Sequence, residues 1–396
     1  MLFISLLLAG LVFMGVLEWR RHRKAISSIP LRININGIRG KSTVTRLITG
    51  IMMEAGMRTV GKTTGTQARM IYWYKDQEEP IVRRPEGPNI REQKEVVAKA
   101  ARLNAECLVS ECMAVNPDYQ IIFQERMLRA NVGVIVNVLE DHMDVMGPTL
   151  GEVAEAFTAT IPYRGHLILN ESPYVPYYRK IARQRRTRVY VCDTSRIKEE
   201  YLRRFRYMVF PENAALALAV AEAVGIDEET ALQGMLNAPP DPGAMKILPV
   251  GDPAQPAYFA NGFAANDASS TLNIWNRIVE LGYPTEQKPV VIMNCRSDRV
   301  DRTEQFATDV LPYIEMEALV LIGQTTQPIV EAFHLSRIPA RRMLNLEGKE
   351  TGEILNDLQP LFQNRVIYGV GNIHGAAEPL CKTLEKMKQQ PVSHVS

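Results

Sequence analysis

The chain has 396 residues, of which 46% are hydrophobic and 23% charged, and its formal net charge is +2. This composition excludes a mainly disordered chain, and the length allows two or three domains. Four basic residues stand together within Arg20–Lys24, and the remaining 42 face 44 acidic residues, so we expect no nucleic-acid partner. The five cysteines are scattered without a C-x-x-C pair, which argues against a disulfide framework or zinc site and fits a reducing compartment.

The N-terminal segment, residues 2–17, contains no charged residue, and Glu18, Trp19 and the basic cluster follow it. A secretory signal carries its positive charges before the apolar stretch, whereas here they come after it. Trp19 is typical of a membrane interface, and a basic flank is typical of the cytoplasmic side. Residues 1–24 are therefore predicted to be a single-pass cell-membrane anchor with its basic flank, leaving the rest of the chain in the cytoplasm. Because the stretch is short for a spanning helix, a buried or interfacial helix is the alternative.

The next segment alternates apolar Leu31, Ile33 and Ile35 with polar residues, which predicts a strand. The stretch "STVTRLITGIMMEAG" then predicts a helix that ends at Gly56. Between strand and helix lies "GIRGKS". The long phosphate-loop spacing G-x-x-x-x-G-K-[ST] would need a glycine where Ile35 stands. A strand, a glycine loop and a helix in this order nevertheless predict a phosphate-binding loop of a shorter type.

The chemistry of this loop rests on four residues. Gly37 and Gly40 allow backbone N–H groups to approach a phosphate, and the N-terminus of the following helix favours an anion. Lys41 would reach the terminal phosphates, and the Ser42 hydroxyl would bind a magnesium ion. The alternative is a tight strand-to-helix turn that merely requires glycine.

Further apolar segments predict parallel strands at 106–110, 132–138, 165–170 and 188–193, with helices between them. One of these helices has Asn116 as its cap and Pro117 at its first position, and another has a Thr149–Glu152 capping box. This alternation predicts a doubly wound α/β domain. The Pro- and Gly-rich stretch at 237–246 predicts a domain boundary. Beyond it, strands at 289–295, 318–323 and 365–371 predict a second, smaller α/β domain.

Two polar sites follow predicted strands of the first domain. Glu111 stands at the carboxyl end of a strand, where open α/β sheets bind ligands, and a carboxylate suits a hard cation such as magnesium. Glu140, Asp141, His142 and Asp144 follow the next strand, and such a cluster suits metal binding. A solvated glutamate and a polar loop with a helix cap are the respective alternatives.

These motifs together resemble the ATP-dependent amide ligases of the Mur type. The loop at Gly37–Ser42 is similar to their G-x-x-G-K-[ST] loop, and Glu111 is similar to their magnesium-binding strand-end glutamate. Their N-x-x-x-D-H-x-D stretch resembles Asn137 with the residues from Asp141 to Asp144, and their asparagine-led helix near the adenine resembles the helix at Asn213. The resemblance covers roughly residues 31 to 375 and is weaker after 245. It implies an ATP-binding central domain at 31–240, with a Mur-ligase-like parallel sheet, and a Rossmann-like C-terminal ligase domain at 245–390.

Two differences from the Mur ligases and their relatives narrow the assignment to one branch. The loop begins at residue 37, which leaves no room for the UDP-precursor domain of the Mur enzymes, and folylpolyglutamate synthases are not expected to carry a membrane anchor. The chain closely resembles the PgsB/CapB ligase branch of bacterial poly-γ-glutamate synthases. That resemblance implies ATP and Mg²⁺ as cofactors, glutamate and the growing poly-γ-glutamate chain as substrates, and small membrane subunits as partners. The alternative is a membrane-tethered P-loop ATPase that powers export or regulation without ligating anything.

The resemblance also implies the functional residues. The catalytic set is Lys41, Glu111 and His142; the metal ligands are Ser42, Glu111 and His142; the nucleotide-binding set is Gly37, Arg39, Gly40, Lys41, Ser42, Thr43, Asn213, Arg299 and Asp301. Arg299 and Asp301 lie in "NCRSDRVDRT", at the place of a loop that closes over the nucleotide in Mur ligases; a surface ion-pair network is the alternative.

Weaker sites complete the sequence-based expectations. Asn266 and Asp267 stand where the family has a D-Y-A-H-N-P stretch, and Lys246 is a candidate for a junction arginine that is missing here. His374 is either a site residue or a cap. The densely basic stretch at 177–207 could hold a polyanionic chain, although a solvated helix face is the favoured interpretation.

Overall fold

The computed structural model describes residues 2–65, 68–83, 89–205, 207–241, 245–265, 267–283 and 287–387. These residues form two compact units. The first runs to Phe205 and resumes at Val209; the second contains Tyr207, Met208 and the residues from Met245 onward. Residues 242–244 of the predicted domain junction and Asn266 lie outside the described residues.

The first unit is built on an eight-stranded sheet. Its strands are β1 (Leu31–Asn36), β2 (Thr59–Lys62), β3 (Arg69–Tyr72), β4 (Glu79–Pro80), β5 (Cys107–Glu111), β6 (Val132–Ile135), β7 (His166–Leu169) and β8 (Arg188–Val191). Their spatial order is β4-β3-β2-β5-β1-β6-β7-β8. From β2 to β8 all neighbours pair in parallel, while β3 and β4 add an antiparallel edge. Since the chain leaves β1 towards β2 and later crosses to β6, a crevice forms at the carboxyl ends around β1.

Helices cover both faces of this sheet. They are α1 (Leu2–Ser27), α2 (Lys41–Glu54), α3 (Glu92–Arg102), α4 (Pro117–Ile122), α5 (Met143–Met146), α6 (Leu150–Phe157), α7 (Val175–Gln184), α8 (Glu199–Leu202), α9 (Pro211–Val224) and α10 (Glu228–Asn237), with a π-helical turn at Phe123–Leu128 and 3-10 turns at Thr158–Thr160 and Thr194–Arg196. Close contact between α2 and α10 needs glycine on both sides, because a Cβ on Gly50 would lie 2.3 Å from the carbonyl oxygen of Gly234.

The helix α1 divides into two parts. Its last residues pack on the first unit, where Ile26 and the following Ile29 are buried in the core with residues of α3 and β5. Its apolar first part, from Phe3 to Val16, is exposed. By length and composition, Phe3–Ser27 is the one helix of the described residues that could cross a membrane.

The second unit has a six-stranded sheet. Its strands are β9 (Ile247–Val250), β10 (Ala257–Asn261), β11 (Val290–Cys295), β12 (Met316–Gly323), β13 (Ala340–Asn345) and β14 (Val366–Gly371), in the order β13-β12-β11-β14-β10-β9. The helices are α11 (Ala268–Glu280), α12 (Val300–Asp309), α13 (Gln327–His334), α14 (Thr351–Leu358) and α15 (Ala377–Met387), with 3-10 turns at Leu311–Tyr313 and Gln359–Leu361. Neighbouring strands pair in parallel except β9, and one apolar cluster covers each face.

The predicted α/β class with parallel sheets is confirmed. Every strand predicted from a buried apolar segment is present, within a few residues of its predicted ends. The Asn116 cap is confirmed because its side chain accepts a hydrogen bond from the Asp118 N–H, and the Thr149–Glu152 capping box is also formed. The sequence did not predict β2, β3, β4, β9, β10 and β13. These strands are short or partly exposed and therefore lack a long continuous apolar segment.

Candidate functional site

The glycine loop links β1 to α2 at the carboxyl edge of the first sheet. Gly37 and Gly40 have φ values of 127° and 84°, in the region that favours glycine. A Cβ on Gly37 would lie 3.0 Å from the backbone nitrogen of Val136, and one on Gly40 would lie 2.8 Å from Oδ1 of Asn213. The loop therefore needs glycine at both positions, and Asn213 of α9 lies directly against it.

Asn137 fixes the shape of this loop from the end of β6. Its Oδ1 accepts hydrogen bonds from the backbone N–H groups of Ile38 (3.1 Å) and Arg39 (3.0 Å), and its Nδ2 donates to the carbonyl oxygen of Arg39 (3.0 Å). The Arg39 guanidinium lies 3.2 Å from Asp141. The loop is thus bonded to the segment from Asn137 to Asp141 through its main chain and through the Arg39 side chain.

Lys41 and the start of α2 supply positive charge at the loop. The Lys41 ammonium donates to the carbonyl oxygens of Gly37 (2.8 Å) and Ile38 (3.0 Å). Gly40 is the N-cap of α2 and provides no side-chain cap, so the first N–H groups of the helix are available to an anion. Thr43 stands in this first turn. Together these groups form an anion-binding cradle.

A cluster of oxygen atoms lies beside this cradle. Glu111, at the end of β5, accepts a hydrogen bond from the Ser42 hydroxyl (2.9 Å). It also accepts bonds from the Thr64 hydroxyl (2.7 Å) and the Thr64 backbone N–H (2.8 Å). Glu111 is almost fully buried, so these donors satisfy its charge. Two hydroxyls and one carboxylate are hard oxygen donors, of the kind that Mg²⁺ prefers.

A cavity of about 370 Å³ opens at this edge. It is lined by Gly37, Lys41, Thr64, Arg83 and His142, among others. His142 is half exposed, has a φ of 51° and lies 3.7 Å from Asp141. Among the described residues, no hydrogen bond or ion pair joins His142 to Ser42 or Glu111, and no group of three or more His, Cys, Asp or Glu side chains is arranged to hold a metal ion. The role of His142 as a metal ligand stays a prediction.

A buried ion-pair network supports the cavity wall. The ammonium of Lys62, fully buried at the end of β2, lies 3.0 Å from Glu92 at the start of α3. Glu92 also accepts a hydrogen bond from Arg83 (3.0 Å). Burial lowers the pKa of Lys62, and Glu92 partly offsets this shift. A buried charge is stable only when it is paired, so this network holds Arg83, which lines the cavity, against the start of α3.

The second unit holds the remaining predicted residues. Arg299 stands at the N-cap position of α12 and forms no side-chain cap bond, and Asp301 lies in the first turn; both are exposed. Arg296 pairs with Asp298 (2.7 Å) within the same loop, while Arg302 donates to Asn372 (2.6 Å). An ion-pair loop is therefore present, and the nucleotide role of Arg299 and Asp301 stays a prediction.

The weaker sites have ordinary structural partners. Asp267 caps α11 through Ser270, Lys246 lies 3.8 Å from Glu385, and His374 is an exposed neighbour of Glu378. In the basic stretch, Arg185 donates to two carbonyl oxygens and Arg196 pairs with two glutamates.

Sequence reasoning placed Gly37, Gly40, Lys41, Ser42 and Glu111 at one edge, and the structure brings them together. Two further residues of the site were not proposed for a role. They are Thr64, which lies within the glycine-containing "VGKTTGT", and Asn137, which leads the D-H-x-D stretch. The signal for Thr64 was weak because its partner Glu111 is 47 residues away.

Family models match most of the chain. The model "Mur ligase middle domain" matches residues 35–239, and the model "Poly-gamma-glutamate synthase CapB C-terminal domain" matches residues 247–387.

Known proteins are similar over nearly the whole length. "PGA synthase CapB" of Bacillus subtilis (strain 168) is 64% identical over 380 residues, covering 96% of each chain. "Capsule biosynthesis protein CapB" of Bacillus anthracis is 66% identical over 370 residues, covering 93% of this chain and 80% of the relative. In fold, the chain is similar to a bifunctional folylpolyglutamate synthase/dihydrofolate synthase from Yersinia pestis, solved with AMPPNP and Mn, with a TM-score of 0.62, 14% identity and coverage of 92% and 93%.

Proposed function

This chain belongs to the poly-gamma-glutamate synthase CapB family, and from that premise we propose that it polymerises glutamate into poly-γ-glutamate. It is an ATP-dependent amide ligase, and each cycle joins an amine to a γ-carboxyl group. The product is a capsule or secreted polymer.

The observation that carries this proposal is the pairing of two sites at one sheet edge. The anion-binding cradle of Lys41 and α2 suits the phosphates of ATP, and the oxygen cluster of Ser42, Glu111 and Thr64 suits the metal ion that accompanies them. A loop that merely required glycine would need neither a lysine held at its rim nor a buried carboxylate beside it.

The chemistry follows from the substrate. A carboxylate is a poor electrophile, so a γ-carboxylate oxygen first attacks the γ-phosphorus of ATP, and ADP leaves. The resulting acyl phosphate is attacked at its carbon by the amine of the next glutamate. The C–O bond to phosphate breaks, phosphate leaves, and the nitrogen loses a proton. Phosphoryl transfer depends mainly on positioning and charge neutralisation, which Lys41 and the N-terminus of α2 provide.

Mg²⁺ is the proposed metal, with Ser42, Glu111 and His142 as ligands. Thr64 is added to this set because it shares Glu111 with Ser42. The metal would neutralise phosphate charge. The donors of Ser42, Glu111 and Thr64 fit such an ion, because they are oxygen atoms and include a buried carboxylate; His142 would add an imidazole nitrogen.

The remaining roles are proposed from the family. Arg39, Gly37, Gly40 and Thr43 bind phosphate through the loop, and Asn213 lies on the adenine side of it. Arg299 and Asp301 belong to a nucleotide-contacting loop of the C-terminal domain. The domains proposed are a membrane anchor with its flank at 1–24, an ATP-binding domain at 31–240 and a ligase domain at 245–390.

The proposal also includes the cellular location of the chain and its partners. The apolar, exposed first part of α1 supports a single-pass anchor in the cell membrane, with the catalytic domains in the cytoplasm because the basic flank follows the apolar part. Small membrane subunits are the proposed partners, and the growing polymer is the second substrate.

The experiment that tests the proposal separates it from a membrane-tethered ATPase. Membranes containing the chain are incubated with ATP, Mg²⁺ and labelled glutamate. We expect labelled polymer and ADP release that depends on glutamate. ATP hydrolysis that ignores glutamate and yields no polymer would instead identify an ATPase.

A further inference from the structure

The helix α1 has a defined direction relative to the first sheet. Glu18 pairs with Lys94 of α3 (2.7 Å), and His22 donates to the carbonyl oxygen of Met127 (3.0 Å). Further along, the carbonyl oxygen of Pro30 accepts a hydrogen bond from Asn131 (2.8 Å), directly before β6 begins. The second part of α1 and the residues that follow it are thus held to the first unit by contacts at three levels.

These levels can be ordered along the sheet. The helix α3 begins at the carboxyl edge, because Glu92 at its start lies 3.0 Å from Lys62 at the end of β2. It ends near the amino edge, where Arg102 is followed within a few residues by the start of β5. Since Lys94 stands at the start of α3, its partner Glu18 lies near the carboxyl edge, whereas Pro30 lies at the amino edge. The helix α1 therefore runs antiparallel to β1.

The apolar part of α1 continues this line. Residues 3–17 belong to the same helix and extend it by roughly 22 Å at 1.5 Å per residue. Beginning at Glu18, these residues extend beyond the carboxyl edge of the first sheet, away from its amino edge. Trp19, which suits a membrane interface, stands at the same level, and the Arg23 guanidinium lies 4.9 Å from its ring.

We infer that α1 holds the first unit with the carboxyl edge of its sheet, and hence the cavity at the glycine loop, turned towards the lipid bilayer. This inference rests on the membrane anchoring proposed above. Its consequence is that amide bonds form close to the lipid surface rather than on the cytoplasmic side of the domain.

Exposed apolar side chains support this orientation. Outside α1, five large exposed ones of the described residues stand in segments that follow the carboxyl ends of strands or lie beside them: Val82, Tyr119, Ile121, Leu139 and Val145. Val82 is 90% exposed and precedes Arg83, which lines the cavity. Such side chains are suited to the interfacial region of a bilayer.

The amino edge has a different surface. Two exposed tyrosines, Tyr74 and Tyr163, lie there. Exposed arginines also stand at the start of its parallel strands: Arg129 before β6, Arg164 before β7, and Arg186 and Arg188 at β8. A basic surface could by itself lie on anionic lipid. That orientation would require α1 to leave the first unit from the amino edge, and its contacts with Lys94 and Met127 direct it the other way.

The test uses the full chain reconstituted in vesicles of phosphatidylcholine and phosphatidylglycerol. Single thiols are introduced at the two edges as Leu139→Cys and Arg186→Cys, and labelled with a fluorophore. Both are made in a Cys192→Ser background, because the other four native cysteines are buried. Phosphatidylcholine with a nitroxide headgroup is the quencher. We expect several-fold stronger quenching at position 139 than at position 186.

A second pair, Tyr119→Cys and Arg164→Cys, repeats the comparison if one variant of the first pair fails to fold. Combined Glu18→Ala and His22→Ala should reduce the difference between the edges, because the variant loses two contacts that fix α1. Equal quenching at the two edges, or stronger quenching at the amino edge, would overturn the inference.

The outcome is separable from that of the proposed function. Quenching needs neither ATP nor glutamate, so a ligase with reversed quenching contradicts only the orientation. Release of the chain from the vesicles by alkaline carbonate would contradict the anchor and the orientation together, whatever the ligase assay gives.

Discussion

The carboxyl edges of the two sheets carry polar loops of different construction. At the first edge, Glu111 is bonded to Ser42 and Thr64, residues 69 and 47 positions away in the chain. At the second edge, the loop that carries Arg299 and Asp301 contains the solvent-accessible pair Arg296–Asp298, only two positions apart, and a side-chain bond to a distant segment, from Arg302 to Asn372.

This difference indicates that the first edge is ordered for catalysis before a substrate binds. Contacts between distant segments are fixed by the fold, so no conformational entropy is lost in forming them when a ligand binds. An exposed local ion pair contributes about 0–1 kcal/mol and rearranges easily. Substitutions at the first edge should therefore reduce activity far more than substitutions at the second.

The largest effect is expected for Lys41→Ala. The ammonium group is held at the loop by two carbonyl oxygens, and its loss removes charge stabilisation from the transferred phosphoryl group. We expect polymer formation to fall roughly a thousand-fold or more, measured as ATP-dependent incorporation of labelled glutamate.

The control for this variant is Lys75→Ala in the same unit. Lys75 lies beside Glu79, and no described contact of Lys75 involves the glycine loop. It should leave incorporation unchanged. Polymer formation that survives Lys41→Ala would mean that the loop has been assigned wrongly.

The second effect concerns the metal. Glu111→Gln removes the carboxylate charge but keeps the size of the side chain, so we expect the metal concentration for half-maximal activity to rise about 100-fold. The measurement is a Mg²⁺ titration of the initial rate. Glu106→Gln is the matched control, since Glu106 precedes the amino end of the same strand and pairs with Arg58. Equal Mg²⁺ requirements in the two variants would remove Glu111 from the metal site.

The sequence predicted the parts of this site that depend on local order. A strand, a glycine loop and a helix are consecutive, so Gly37 to Ser42 were identified, and apolar segments predicted the strand that ends at Glu111. Contacts across the fold could not be predicted. Arg46, buried in α2, binds Glu78 and lies 3.4 Å from Asp241; nothing in its own segment indicates these partners.

The third prediction tests whether the glycine loop must be ordered before ATP binds. Asn137→Ala leaves the N–H groups of Ile38 and Arg39 without their acceptor. At about 1 kcal/mol for each of these two bonds, or about 2 kcal/mol together, we expect roughly a 30-fold rise in KM for ATP. Asn137→Asp keeps an acceptor oxygen, but it turns a second oxygen towards the Arg39 carbonyl and adds a negative charge beside the anion-binding cradle. Its KM for ATP should therefore be at least as high as that of the alanine variant. The same KM in all three would show that ATP itself orders the loop.

The smallest effect is expected for Arg299→Ala. Arg299 is exposed at the start of α12, so any contact with nucleotide is partly screened by water and contributes about 1 kcal/mol at most. KM for ATP should therefore rise about fivefold or less, while the neighbouring Arg296→Ala, which breaks only the pair with Asp298, should leave it unchanged. If Arg299→Ala were as damaging as Lys41→Ala, its guanidinium would have to act in a desolvated site on the transferred phosphoryl group, and the second edge would be as essential to catalysis as the first.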